Sequence, residues 1–311
     1  MAKSKVVDPT APPSMVKDVL AKKKEHRLNI IAAGVALFAF IAIIPALAAT
    51  VAITSLVADP QILIDEATSA LEAAPEETKN FLLAQLENII DDDGAAGVAA
   101  VVGVAAAVWS ASGALGHFME GLNLVFGRTE SRSFVVKKLT AVALMLGAIV
   151  LLAATVFAMS VVPALVSSLV DSDGVSALIN IGRFPVLLLV LIAGMSALFR
   201  FGPAPDSNRT NELVPGGRNP IITAGGAAAA VLLLVISALF GWFSANFGSF
   251  GETYGTLATI IVVLLWLQYM ALGVFIGAEV DAHLRRKRVF DARVNAGLPA
   301  VRPEVATEAA A

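Results

Sequence analysis

The sequence predicts an all-α, polytopic membrane bundle: six transmembrane helices, both termini in the cytoplasm, and short amphipathic helices in the first extracytoplasmic loop. Three observations carry this. Of the 311 residues, 57% are hydrophobic and only 15% charged, a composition that excludes an ordinary soluble domain. Six apolar runs long enough to cross a hydrocarbon layer of roughly 30 Å recur along the chain. Of 22 Lys and Arg residues, only Lys79 and Arg183 fall in segments that six spans put outside, so the basic residues gather on one side. Five or seven spans strand a basic segment on the wrong face. The net charge of -3 says little, because the charges are segregated by loop. With no cysteine there is no disulfide, thiolate ligand or Cys nucleophile.

Residues 1–27 read as a cytoplasmic basic tail, disordered at Pro9, Pro12 and Pro13 and closing in a short amphipathic turn with Lys17, Lys22, Lys23, Lys24 and Arg27. The apolar run 28–57 is longer than the core of a secretory signal, which predicts an uncleaved first span. From 59 to 93 the composition inverts, with ten acids against the single Lys79. Pro60 and Pro75 each stand at a first helical position. Leu63, Ala67, Leu71 and then Leu82, Leu86, Ile89, Ile90 give two short helices with apolar stripes, lying on the membrane surface or capping the bundle.

The second span, 94–115, is rich in Ala, Gly and Val and continues as a helix to Phe126, with Gly127 as its stop. Trp109, Ser112, Gly116, Glu120 and Asn123 step by three or four residues and so share one side of that helix. Two readings remain open: a tight packing seam, or the lining of a water-accessible cavity. Arg128, Arg132, Lys137 and Lys138 make the next loop basic. The third span is 139–162, with Pro163 loosening its far end. The fourth is 177–199, since Phe184 to Phe199 alone is short, and it draws Arg183 towards the outer interface. Arg200 to Asn219, rich in Pro and Gly, is a cytoplasmic loop. The fifth span, 221–246, ends in the interfacial aromatics Trp242 and Phe243. The sixth, 256–279, ends on Glu279 and Asp281, followed by the basic cluster from His283 to Arg288. The membrane domain is thus 28–285, and 286–311 is expected to be a disordered cytoplasmic tail.

Little catalytic chemistry is legible. His26, His117 and His283 stand in separate segments without metal-ligand spacing, and no phosphate-binding loop occurs. The turns Asp91-Asp92-Asp93-Gly94 and Asp171-Ser172-Asp173-Gly174 lack the Glu that closes a calcium loop. Neither a catalytic constellation, a metal site nor a cofactor is expected. Ionisable groups at the membrane draw attention because charge there is costly and is kept for pairing or transport. Glu279 and Glu120 are candidates to meet at the cytoplasmic mouth, with Arg128 or Arg200 as counter-charge, and Gln268 offers a mid-membrane hydrogen bond. The alternative is that Glu279 only pairs with its basic loop. Gly273 and Gly277 favour close helix packing.

Trp109-Ser110-Ala111-Ser112-Gly113 leading to Glu120-Gly121-Leu122-Asn123, then Tyr254-Gly255-Thr256-Leu257, Leu264-Leu265-Trp266-Leu267 and Gly277-Ala278-Glu279-Val280-Asp281-Ala282 together resemble the YihY/BrkB family of bacterial inner-membrane proteins. The order fits over about residues 28–285. The chain departs from the family's pattern in an Ala-rich first span, at Gln268, and in Asp281 where Asn is usual. The resemblance implies a six-span, multi-pass envelope protein of the bacterial cytoplasmic membrane. It makes Trp109, Ser112, Glu120, Asn123, Tyr254 and Glu279 signature residues. The family once carried a tRNA-processing ribonuclease label, for which this sequence supplies no acid/base or metal cluster. The functional expectation is a non-enzymatic transporter or translocation factor for a lipid or other amphiphile in envelope biogenesis. Its partners are membrane lipids, with no nucleic acid. The alternative is a structural or assembly protein whose 59–93 loop docks an extracytoplasmic partner.

Overall fold

A computed structural model describes residues 14–54, 61–71, 76–90, 98–169, 173–205, 222–246 and 256–295. All regular structure among them is helical: α1 (Met15–Glu25), α2 (Leu28–Thr54), α3 (Ile62–Ala70), α4 (Glu76–Ile90), α5 (Val98–Val125), α6 (Phe134–Leu169), α7 (Asp173–Phe201), α8 (Ala224–Asn246) and α9 (Thr256–Asn295). The long helices pack in chain order, α2 on α5, α5 on α6, α6 on α7, α7 on α8, α8 on α9, and α9 returns to α2 to close the ring. Among the described residues, four of them are long and apolar enough to cross a membrane, with spanning windows Leu28–Pro45, Phe134–Leu151, Ala224–Phe243 and Leu257–Asp291, whereas the apolar run of α7, Pro185–Phe201, is shorter. Their outward faces are apolar as well. Ile30, Leu37, Ile41 and Ile44 of α2 recur at helical spacing and are all exposed, as a lipid-facing stripe requires.

The close-packed core lies at one end of the ring, the end that carries the basic loops. Leu28, Ala32 and Val35 from the start of α2 meet Leu122 and Val125 from the end of α5. Phe199 of α7, Ala229 and Leu233 of α8, and Ala271, Phe275, Ala278 and Ala282 of α9 complete it. Between apolar helices in lipid the gain comes from packing rather than from the hydrophobic effect, so small residues decide how near the backbones come. The Gly273-x-x-x-Gly277 spacing does this on α9. A Cβ on Gly277 would stand 2.7 Å from the Gly225 carbonyl oxygen and 2.5 Å from the Cβ of Ala229.

Several boundaries differ from the sequence expectation. The turn expected before the first span is a helix of 11 residues, α1. Helix α6 runs without a break through Pro163 to Leu169. Helix α9 does not give way to a tail at 286 but continues to Asn295, 40 residues in all, because Lys and Arg are good helix formers and its extension packs on α1. The remaining tail, Tyr254 and residues 1–13 lie outside the described residues.

Of the two short helices in the acidic loop, α4 does more than lie on a surface. It packs against α2, α8 and α9 as well as α3. Phe81 stacks on Phe40 of α2 with ring centroids 5.6 Å apart. Phe40 is twelve residues into α2, which places it roughly 18 Å from the basic end. Thr78 and Leu86 are buried, while Glu76, Asn80, Glu87 and Asn88 are exposed. The helix therefore seals the acidic half of the ring with its apolar face and keeps its polar face outward.

Candidate functional site at the basic end

Glu279 is built into the site by the turn between α1 and α2. Helix α1 ends at His26, and Arg27 takes φ +50, the left-handed conformation that usually belongs to glycine, so that α2 starts beside the end of α1. This turn carries the His26 ring onto α9. His26 Nδ1 donates to Glu279 Oε1 at 2.6 Å. The side chain of Glu279 is 0% exposed, and its second oxygen has no hydrogen bond among the described residues, with the Arg286 guanidinium 3.7 Å away. One turn further along α9, His283 Nδ1 and Arg286 both donate to Asp18 Oδ2 of α1, at 2.6 and 2.9 Å. Burial pushes the Asp18 carboxyl up, but these hydrogen bonds and the Arg286 charge outweigh it and hold the group below the ordinary carboxylate range.

The result is a chain of alternating charge, His26, Glu279, Arg286, Asp18, His283, in which two carboxylates face one permanent cation. With both imidazoles neutral it carries one negative charge, and a single proton on either ring balances it. The spacing of Glu279 and His283 on α9 was visible in the sequence; the contribution of His26 and Asp18, some 250 residues away, was not.

On the other side of α9, Asp281 is also buried. Its Oδ1 accepts the Gly225 N–H at 3.0 Å, and Thr223 Oγ1 accepts the Gly226 N–H at 2.9 Å, so two of the free amides that open α8 are capped, one from a neighbouring helix. Asp281 Oδ2 has no partner in the hydrogen bonds of the described residues.

The remaining sequence candidates do not converge on Glu279. Gly127, at φ +60, closes α5 with a paired motif in which Gly127 N–H reaches Leu124 O and Arg128 N–H reaches Asn123 O. That turn aims Asn123 and Arg128 at the end of α7: Asn123 Oδ1 accepts Ala204 N–H at 2.6 Å and Arg128 donates to Ala204 O at 2.6 Å. Asn123 also donates to Glu130, which Arg132 grips, and that grip, opposed only in part by burial, holds Glu130 down at about 2. This is a structural clamp between two loops. Ser112 is buried but bonds back to Trp109 O of its own helix. Trp109 is 65% exposed, with Lys138 over its ring at 4.1 Å. Glu120 is exposed and paired with Lys137 at 2.5 Å and with His117 at 3.3 Å. Arg200 is exposed over the Phe201 ring, and Gln268 is half-buried in α9. The expected meeting of Glu120 with Glu279, with Arg128 or Arg200 as counter-charge, is therefore replaced by His26 and Arg286. The one-sided stripe is split between a packed interior and the lipid-facing contact of α5 with α6. Among the described residues no three His, Cys, Asp or Glu side chains stand close enough to hold a metal ion.

The profile of a protein family described as Virulence factor BrkB matches residues 19–300. A curated relative in Bacillus subtilis (strain 168), YfkH, whose name calls it ribonuclease-like, is 25% identical over 194 residues, 60% of this chain. The match spans 66% of that relative's own length, just under two thirds. No solved structure matches.

Proposed function

The chain belongs to the virulence factor BrkB family, and from that premise and the charge cluster on α9 we propose that it is a translocation factor for a lipid or another amphiphile in the bacterial inner membrane. That it is a membrane protein follows from the family and its long apolar helices. In this reading six helices span, the basic end faces the cytoplasm, and the protein is not an enzyme. One observation carries the proposal. A carboxylate with no exposed surface lies towards the end of a long apolar helix, one oxygen held by an imidazole and the other without a hydrogen bond among the described residues. An ionisable group kept in such a place at several kcal/mol of desolvation is characteristic of proton or substrate handling.

The working step is a proton exchange within the pair. When His26 is protonated and Glu279 ionised, α1 is held to α9. Transfer of that proton to the carboxylate leaves two neutral groups and weakens the His26–Glu279 attraction without leaving a bare charge, while Asp18 with His283 and Arg286 continues to hold α1 to α9. The ribonuclease-like name of the Bacillus relative suggests a different chemistry. The cluster offers no second group arranged around a common reacting atom, which favours transport.

The test is lipid movement in proteoliposomes, followed by reduction of a fluorescent headgroup from outside. Wild type and Glu120→Gln are expected to move lipid, since Glu120 is exposed and separate from the cluster, whereas Glu279→Gln inserts normally and does not. Equal rates for Glu279→Gln and wild type remove the site. Absence of movement by the wild type over a panel of amphiphiles removes the function and leaves the structural alternative, which the Asn123–Glu130–Arg132 clamp favours.

A further inference from the structure

We infer that the outward face of α1 is a docking surface for the acidic phospholipid headgroups of the leaflet at the basic end. The inference needs only the membrane placement of the bundle and stands apart from the transport reading. Helix α1 presents two different faces. Asp18, Val19, Lys22 and His26, at i, i+1, i+4 and i+8, lie on the side turned to the bundle, where Val19 is buried and Asp18 and His26 reach α9. Val16 and Leu20, one turn apart, lie on the other side and are 63% and 58% exposed. Lys23 adjoins them one turn on, and Lys17 and Lys24 flank them, both exposed.

The acids of the helix are directed elsewhere. Asp18 is held by His283 and Arg286, and Glu25 pairs with Lys22 at 3.0 Å. The outward face thus combines two aliphatic side chains with three lysines, the composition that seats an amphipathic helix at a headgroup boundary with its ammonium groups among the phosphates. Position agrees with composition. The first residue of the membrane-crossing window, Leu28, follows α1 by two residues, and a helix of 11 residues is roughly 16 Å long, so the outward face stays within reach of the headgroup layer. A soluble acidic partner would match the lysines but has no use for Val16 and Leu20 at the level of the lipid boundary.

One consequence is that the leaflet helps to seat His26 on Glu279, because the face opposite the docking surface carries the contacts to α9.

The natural absence of cysteine makes a site-specific test direct. Val16→Cys, Leu20→Cys and, as a control on the exposed side away from the docking face, Glu25→Cys each take a polarity-sensitive fluorophore. The full chain is reconstituted in bilayers of phosphatidylcholine alone or mixed with phosphatidylglycerol. In the mixed bilayer the labels at 16 and 20 are expected to emit blue-shifted light and to be quenched by spin-labelled lipid, while the label at 25 remains aqueous. Lys17→Gln and Lys24→Gln should each lower the docking constant about fivefold, and salt should do the same. The melting temperature reports whether the bundle is intact in each variant. Aqueous emission at all three positions overturns the proposal. So does quenching that is the same in both bilayers, or that ignores the lysine substitutions.

Discussion

Replacing His26 by Ala tests whether Glu279 is held as a buried charge. The change removes the 2.6 Å hydrogen bond and leaves a carboxylate with no exposed surface, no hydrogen bond on its second oxygen, and Arg286 at 3.7 Å as its nearest cation. Breaking one partner of a buried pair costs about 3–5 kcal/mol, and the guanidinium that remains places this case at the lower bound of about 3. For a chain of this size that corresponds to roughly 5–10 °C in melting temperature. The same loss should nearly vanish when the charge goes too. In the double variant His26→Ala with Glu279→Gln, a neutral amide occupies the site, so the coupling recovered by the second change is about 2 kcal/mol. Thermal unfolding in detergent, followed through tryptophan fluorescence, gives all four corners of the cycle. The reasoning fails if His26→Ala and the double variant melt together below wild type, because the cost would then be a packing defect rather than an uncompensated charge.

Three further outcomes are expected. Gly277→Val places a Cβ 2.5 Å from that of Ala229, so α8 and α9 must part, and size-exclusion chromatography should show a large loss of monodisperse protein, with Gly277→Ala intermediate. Glu130 is ordinarily at 4.5 and is held at about 2, so its clamp contributes stability that is complete above pH 4.5 and declines as the pH falls towards 2. A melting profile should lose that step in Glu130→Gln, with roughly 3 kcal/mol as its upper limit. A flexible crosslink between cysteines at Phe40 and Phe81, whose rings stand 5.6 Å apart, should form readily in native membranes, and failure to form it would displace α4 from the ring.

Much of the architecture was written in local sequence. Long apolar runs and the Gly127 stop are one-dimensional signals, and the long helices fall on those runs. Apart from α6 running on through Pro163, the boundary errors share a physical origin in basic residues that look like loop. Lys137 and Lys138 lie inside α6, where one pairs with Glu120 and the other caps Trp109 O. The basic cluster after Glu279 remains helical because Arg286 and His283 find Asp18 on α1. The candidate site was legible in part for the same reason. Glu279 declared itself by its place at the end of an apolar run, but no local pattern names His26 as its partner. That depends on a left-handed Arg27, which sequence propensity disfavours. The helical stripe on α5 was real as a stripe, yet a shared face does not make a shared environment: α6 leaves Trp109 and Glu120 at the surface, while Asn123 is carried under Ala204, just past the end of α7.

The length of α9 has a mechanical meaning. Forty residues without a proline give a rod of roughly 60 Å, about twice the hydrocarbon thickness, that begins at the acidic end and projects well past the basic one. Glu279 lies roughly 34 Å along it from Thr256. A tilt of only about 10° pivoted at Thr256 carries Glu279 sideways by about 6 Å, more than twice its hydrogen-bond length to His26. If α9 moves as one rigid rod, it acts as a lever: a small rotation where α4 packs against it would be read out as separation at the far end, gearing the two ends of the bundle to one another.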